Sequence, residues 1–183
     1  GVHLEAGRLL LGGAPLIDAR EIPLRGRHNI ENVMAAALAA HLAGASRESI
    51  AAAIRTFRAV EHRLEFVRKV RGVDYFNDSK ATNVDSTLKA IEAFDGGLWA
   101  ILGGKDKGSD YRPLAAPLQA KAHAALLIGK AAPLIAAQLK NVVPLVECGT
   151  LAEAVDYAAR HARPGDTVLL APACASGRQQ HRV

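Results

Sequence analysis

The run "LWAILGG", Leu98–Gly104, holds seven residues without a charge and leads directly into the polar stretch "KDKGSD" at 105–110. An uninterrupted apolar run of this length, closed by glycines, fits a strand buried on both faces rather than one with a solvated side. Comparable runs recur on either side of it: "VDYFN" at 73–77, "AALLIG" at 124–129, "VVPLVE" at 142–147 and "TVLLAPA" at 167–173. The segments between them predict helices over 84–94, 113–121, 131–139 and 150–162. Thr150 and Glu153 supply a T-x-x-E capping box for the last of these. Apolar strands that alternate with helices imply an α/β fold, with a doubly wound, mostly parallel sheet covered on both faces. In such sheets ligands bind beyond the carboxyl ends of the strands. Three polar clusters fall at those ends: 77–83, 103–110 and 172–176.

Upstream the pattern differs. Residues 1–27 carry short apolar runs broken by Gly and Pro, as in "RLLLGGAPLIDAREIPLRG", and read as two or three strands joined by turns. "NIENVMAAALAAHLAG", 29–44, has high helix propensity with Gly44 as a stop, and "SRESIAAAIRTF", 46–57, begins a second helix with Ser46 as its N-cap. Around "RAVEHRLEFV" the spacing changes from helical to strand alternation, which puts a domain boundary near 61–63, with 1–62 and 63–183 on its two sides.

The chain has 183 residues, of which 50% are hydrophobic, enough for one large or two small cores. Its net charge of +5 is spread along the chain and only 4% of residues are aromatic, so nucleic acid is not the expected partner. A pocket for phosphates or carboxylates accounts for the same charge. No stretch approaches eighteen apolar residues without a charge, so membrane insertion is not expected. Cys148 and Cys174 show no metal-ligand spacing and read as buried free thiols of a cytoplasmic protein.

The chemistry concentrates in a few positions. In "NDSKATN", Asp78 could hold a ribose, Lys80 an anion, and Thr82 could donate its hydroxyl near the positive end of the next helix; a polar turn with Asp78 or Ser79 as the cap is the plainer alternative. Lys107, in a Gly-rich loop that is not a P-loop, could grip a carboxylate or phosphate, or be simply solvated. Ser176 with neighbouring backbone N–H groups could bind an anion. Asn29 and Asn32 share one helix face, where two amides could read a base edge or phosphate oxygens, with helix capping by Asn29 as the competing explanation. Arg63 lies at the domain junction, where a ligand or an ion pair with Glu61 or Glu65 would engage it.

The order "HNIEN", "HRLE", "NDSKATN", "LGGKDKG", "PACAS" resembles the Mur ligases over about residues 26–176, and within them the branch that adds D-glutamate. The resemblance implies a Rossmann-like C-terminal domain from about residue 63, preceded by the β/α end of a central ATPase domain. The P-loop and the magnesium ligands of that family would lie upstream of Gly1. It further implies a cytoplasmic, monomeric, ATP- and magnesium-dependent ligase. D-Glutamate would be joined to UDP-N-acetylmuramoyl-L-alanine through an acyl phosphate, and this chain alone would be inactive. By the same resemblance Asn29, Asn32, Arg63 and Asp78 face ATP, whereas Lys80, Thr82, Lys107 and Ser176 surround D-glutamate; Lys80, Asp78 and Arg63 are the catalytic candidates. Closure about residues 60–72 would bring the reactants together. A sister ligase with another amino acid, such as a folylpolyglutamate synthase, and a non-catalytic nucleotide- or anion-binding module are the alternatives. After "PACAS" the family continues with an aromatic-containing segment, whereas this chain reads "GRQQHRV".

Overall fold

The computed structural model describes residues 1–58, 61–105 and 108–175. The chain forms two compact units, Gly1–Ala59 and Val60–Val183.

In the first unit, strands β1 (Val2–Glu5), β2 (Arg8–Leu11) and β3 (Ala14–Asp18) make an antiparallel sheet. Both connections are two-residue turns with positive φ at each position, Ala6-Gly7 and Gly12-Gly13, and this backbone twist matches that of the strands it joins. Leu9 and Leu11 alternate inward and are fully buried, together with Ile17, beneath helices α1 (Arg27–Leu42) and α2 (Arg47–Thr56). Ser46 caps α2 as its sequence predicts, its hydroxyl accepting from the Ser49 N–H at 3.2 Å. Asn29 does not cap α1. The helix starts at Arg27 after Gly26, and the Asn29 amide donates to the Arg25 carbonyl at 2.6 Å.

The second unit is a six-stranded sheet in the order β4-β5-β9-β6-β7-β8, made of β4 (Glu65–Val70), β5 (Val73–Asn77), β6 (Leu98–Gly104), β7 (Ala122–Gly129), β8 (Leu145–Gly149) and β9 (Thr167–Leu170). Only the β4–β5 pair is antiparallel. The stretch "VDYFN" is the second strand of this sheet in chain order, because "EFVRKV" precedes it as an edge strand. The Arg71-Gly72 turn that joins them needs glycine twice over: φ is +81° at Gly72, and a Cβ there would lie 2.8 Å from the Pro164 Cβ. A shift concerns "VVPLVE", whose strand begins only at Leu145. Pairing with β7 starts after Pro144, which has no N–H to give the ladder, while Val142 and Val143 pack against the core.

Helices α3 (Val84–Glu92), α4 (Ala115–Lys121), α5 (Ala132–Gln138) and α6 (Leu151–His161) connect the strands, with a short 3-10 turn at Arg112–Leu114 leading into α4. Side-chain alternation along the buried strands produces two cores. Leu127 and Leu169 join Ile91, Leu118 and Ile135 on one face, whereas Leu126, Ile128 and Val168 meet Ala154 and Ala158 of α6 on the other. The Thr150–Glu153 capping box of α6 forms with both of its reciprocal bonds. After β8 the chain returns to insert β9 between β5 and β6, so the last strand ends at the middle of the sheet. Cys174 is buried, but Cys148 is only half-buried. Among the described residues no helix is long and apolar enough to cross a membrane.

Candidate functional site

Because β5, β9 and β6 are neighbours and run in parallel, the segments leaving their carboxyl ends emerge side by side. Backbone hydrogen bonds stitch these segments together. The Asp78 N–H donates to Leu170 O at 2.8 Å, Ala173 to Ala81 at 2.9 Å, Gly103 to Pro172 at 2.8 Å and Lys105 to Ala175 at 3.1 Å. Beneath this rim the fully buried Thr87 hydroxyl donates to Ala171 O at 3.3 Å, tying the first turn of α3 to the end of β9. The three polar clusters of the sequence thus belong, within the described residues, to one continuous edge.

Asp78 sits just past the end of β5 with only 9% of its surface exposed. Burial pushes its carboxyl up to about 6, against the opposing pull of a hydrogen bond from the Leu64 N–H and the nearby Arg63 charge. At neutral pH it remains mostly ionised, an acceptor in a poorly solvated place. Residues 78–82 stay out of the helix, since the Ala81 N–H turns back to Asp78 O at 2.8 Å and the Thr82 N–H to Lys80 O at 2.8 Å. Neither Asp78 nor Ser79 caps α3; Asn83 does, its side chain accepting from the Ser86 N–H at 2.8 Å. Released from capping, Asp78 is available to the rim, and Lys80 and Thr82 project as exposed side chains beside it.

Arg63 is exposed, and among the described residues it makes no ion pair with Glu61 or Glu65 within 4.0 Å. Glu65 is instead directed at His62, accepting from its backbone N–H at 2.9 Å. The Asn77 amide donates to His62 Nδ1 at 2.9 Å, and the Lys80 N–H donates to the His62 carbonyl at 3.1 Å. Arg63, Asp78, Lys80 and Thr82 are in this way gathered at the carboxyl end of β5. Sequence reasoning passed over His62, Asn77 and Glu65 as members of the group. The available signal was the short polar spacing in "EHRLE", whose glutamates were weighed only as partners for Arg63.

In the first unit Asn29 and Asn32 lie three residues apart on α1, Asn29 half-buried and Asn32 exposed. Lys107 and Ser176, as well as the tail that follows "PACA", lie outside the described residues. No group of three His, Cys, Asp or Glu side chains converges as a metal site among the described residues.

Chemically, the edge offers a buried carboxylate that can accept from a hydroxyl, cations at Arg63, Lys80 and Lys105 for anionic groups, and a nearby hydroxyl donor at Thr82. This set suits a nucleotide and a carboxylate-bearing molecule more than an apolar ligand.

A UDP-N-acetylmuramoylalanine--D-glutamate ligase from Solibacter usitatus is 65% identical over 176 residues, covering 96% of this chain and 40% of that protein. The chain therefore spans about two fifths of that relative. Among solved structures, MurF from Acinetobacter baumannii superposes with a TM-score of 0.69 at 18% identity, over 98% of this chain and 41% of that one. Mycobacterium tuberculosis folylpolyglutamate synthase, solved with ADP and AMPPCP, gives 0.66 at 19% identity over 96% and 45%. At such identities these two likenesses speak for the fold alone, a mixed α/β architecture with a mostly parallel sheet. The family model for the Mur ligase, glutamate ligase domain, matches residues 62–174, and the chain belongs to the Mur ligase family.

Proposed function

We propose that this chain is the C-terminal portion of an ATP-dependent ligase that joins D-glutamate to UDP-N-acetylmuramoyl-L-alanine in peptidoglycan synthesis. Residues 1–62 would close a central ATP-binding domain, and 63–183 would form the amino-acid-binding domain of a cytoplasmic, monomeric enzyme. The observation that carries this reading is the 65% identity, over nearly the whole chain, to a relative named for that activity.

The chemistry explains why such residues are needed. A carboxylate resists attack by an amine, because its leaving group is an oxide; phosphorylation by ATP converts it to an acyl phosphate with a good leaving group. The D-glutamate amine then attacks, and the tetrahedral intermediate collapses with loss of phosphate. Cations and fixed donors lower the barrier by stabilising the oxyanion and by aligning the two reactants. In this scheme Asp78 accepts from a ribose hydroxyl, Arg63 faces the phosphates, and Asn29 and Asn32 serve the adenine and phosphate side. Lys80, Lys107, Thr82 and Ser176 meet the two carboxylates of D-glutamate and leave its amine free. Magnesium would supply charge neutralisation at the phosphates.

The test is phosphate release by the full-length protein with ATP, magnesium, UDP-N-acetylmuramoyl-L-alanine and a panel of amino acids. Release should require D-glutamate and fall at least 100-fold in Lys107→Ala, the scale of losing a charged contact at a reacting centre. Release with a different amino acid only would move the chain to a sister ligase. No release with any acceptor would overturn the reading.

A further inference from the structure

Two residues in the segment ahead of β4 hold backbone conformations that side chains other than glycine seldom adopt: φ is +67° at His62 and +42° at Leu64. Strain of this kind persists only where surrounding bonds hold it, and here they do so on both sides of Arg63. The His62 carbonyl accepts from the Lys80 N–H, and the Leu64 N–H donates to the buried Asp78 carboxyl. The His62 N–H is taken by Glu65 Oε2 at 2.9 Å, and the His62 ring by Asn77. Glu65 and Asn77 face one another in the β4–β5 register, so both anchors stand at the end of one hairpin.

The direction of the ring contact follows from its neighbours. Asn77 Oδ1 accepts from the Ser79 N–H at 3.0 Å, and a backbone N–H can only donate. That orients the amide so that Nδ2, a donor, meets His62 Nδ1 at 2.9 Å. Glu65 Oε2 lies 3.6 Å from the same nitrogen, beyond hydrogen-bond reach, but 3.4 Å from Asn77 Nδ2. His62 Nδ1 is therefore the acceptor, and the proton of the neutral ring belongs on Nε2.

We propose that Asn77 and Glu65 are positioning residues that lock His62 in its Nε2–H tautomer and hold the His62–Arg63 tip ready for an anion. The tip then carries an imidazole donor on a side chain with 43% of its surface exposed, next in sequence to an exposed guanidinium. This rests on the reading of Arg63 as a phosphate-facing arginine; the tautomer itself does not.

Long-range nitrogen-15 spectra of the histidine rings of this chain, recorded at pH about 8.5, above the usual imidazole range, decide the first part. His62, assigned by its loss in His62→Gln, should show a protonated Nε2 and a bare Nδ1. In Asn77→Asp the donor becomes an acceptor, and the proton should move to Nδ1. Should that variant not fold, Asn77→Ala should populate both tautomers. A wild-type ring with its proton on Nδ1, or a tautomer unchanged by Asn77 substitution, overturns the proposal.

In the full-length protein Asn77→Asp should raise the KM for ATP roughly tenfold, the scale of one charge-assisted hydrogen bond, with kcat within about twofold. Glu65→Gln, which keeps an acceptor for the His62 N–H, should raise it less. A moved proton with unchanged KM overturns the positioning role. Absence of any ATP-dependent activity would instead count against the ligase reading, while the ring spectra still decide the tautomer.

Discussion

Asp78 shows how a single side chain acquires a function that its sequence neighbours do not reveal. In "NDSKATN" it is one of several polar residues that could cap α3, yet capping passes to Asn83 and Asp78 is buried at the strand end. Its raised pKa carries a consequence for stability. The folded protein holds the proton more tightly than the unfolded chain, so between the unfolded value near 4 and the folded value of about 6 stability falls as pH rises. Above that window the cost stays constant, at about 3 kcal/mol for a shift of this size. Asp78→Asn keeps an acceptor for the Leu64 N–H and removes the buried charge. Urea denaturation should find this variant equal to the wild type near pH 4 and more stable by up to ~3 kcal/mol at pH 7, with nucleotide affinity lowered. Equal stability at both pH values would mean that the carboxyl is not held in its raised state.

At the scale of elements, local signals were legible wherever they were self-contained. The capping box of α6 and the Ser46 cap of α2 involve residues three apart and form as their spacing predicts. The Asn83 cap was not legible, because long-range bonds decide it: the Ala173 N–H holds Ala81 O, and this keeps residues 78–82 out of the helix. Asn83→Ala should cost about 1 kcal/mol in chemical denaturation, the usual value of an N-cap. It should also loosen the "NDSKAT" segment, seen as faster amide exchange at Ala81 and Thr82. The start of β8 was misplaced, and β4 was not among the apolar runs that marked the strands, for a related reason. Apolarity marks burial, not pairing: Val142 and Val143 are apolar because they pack against the core, whereas β4 is charged and exposed because it is an edge.

Over the whole molecule, stability should follow the layering of the second unit. Strands β6 and β7 are central and buried on both faces, with Leu102, Leu126 and Leu127 fully enclosed, whereas β4 is an exposed edge strand. Native-state hydrogen exchange should therefore be slowest in β6, β7 and β9 and fastest, among the strands of this sheet, in β4. Comparable protection in β4 would show that its free edge is covered in solution. The amino-acid sequence by itself determined the α/β class, the alternation of strands and helices, and the identity of the polar clusters at the strand ends. These depend on burial period and turn chemistry, both of which are written locally. Tertiary structure alone decided that β9 inserts between β5 and β6, which bonds three distant clusters into one edge. It also decided that Asp78 is buried and that His62, Asn77 and Glu65 join it. Those outcomes rest on hydrogen bonds between residues up to about a hundred positions apart, and no local pattern encodes which of several equivalent polar side chains will be closed in.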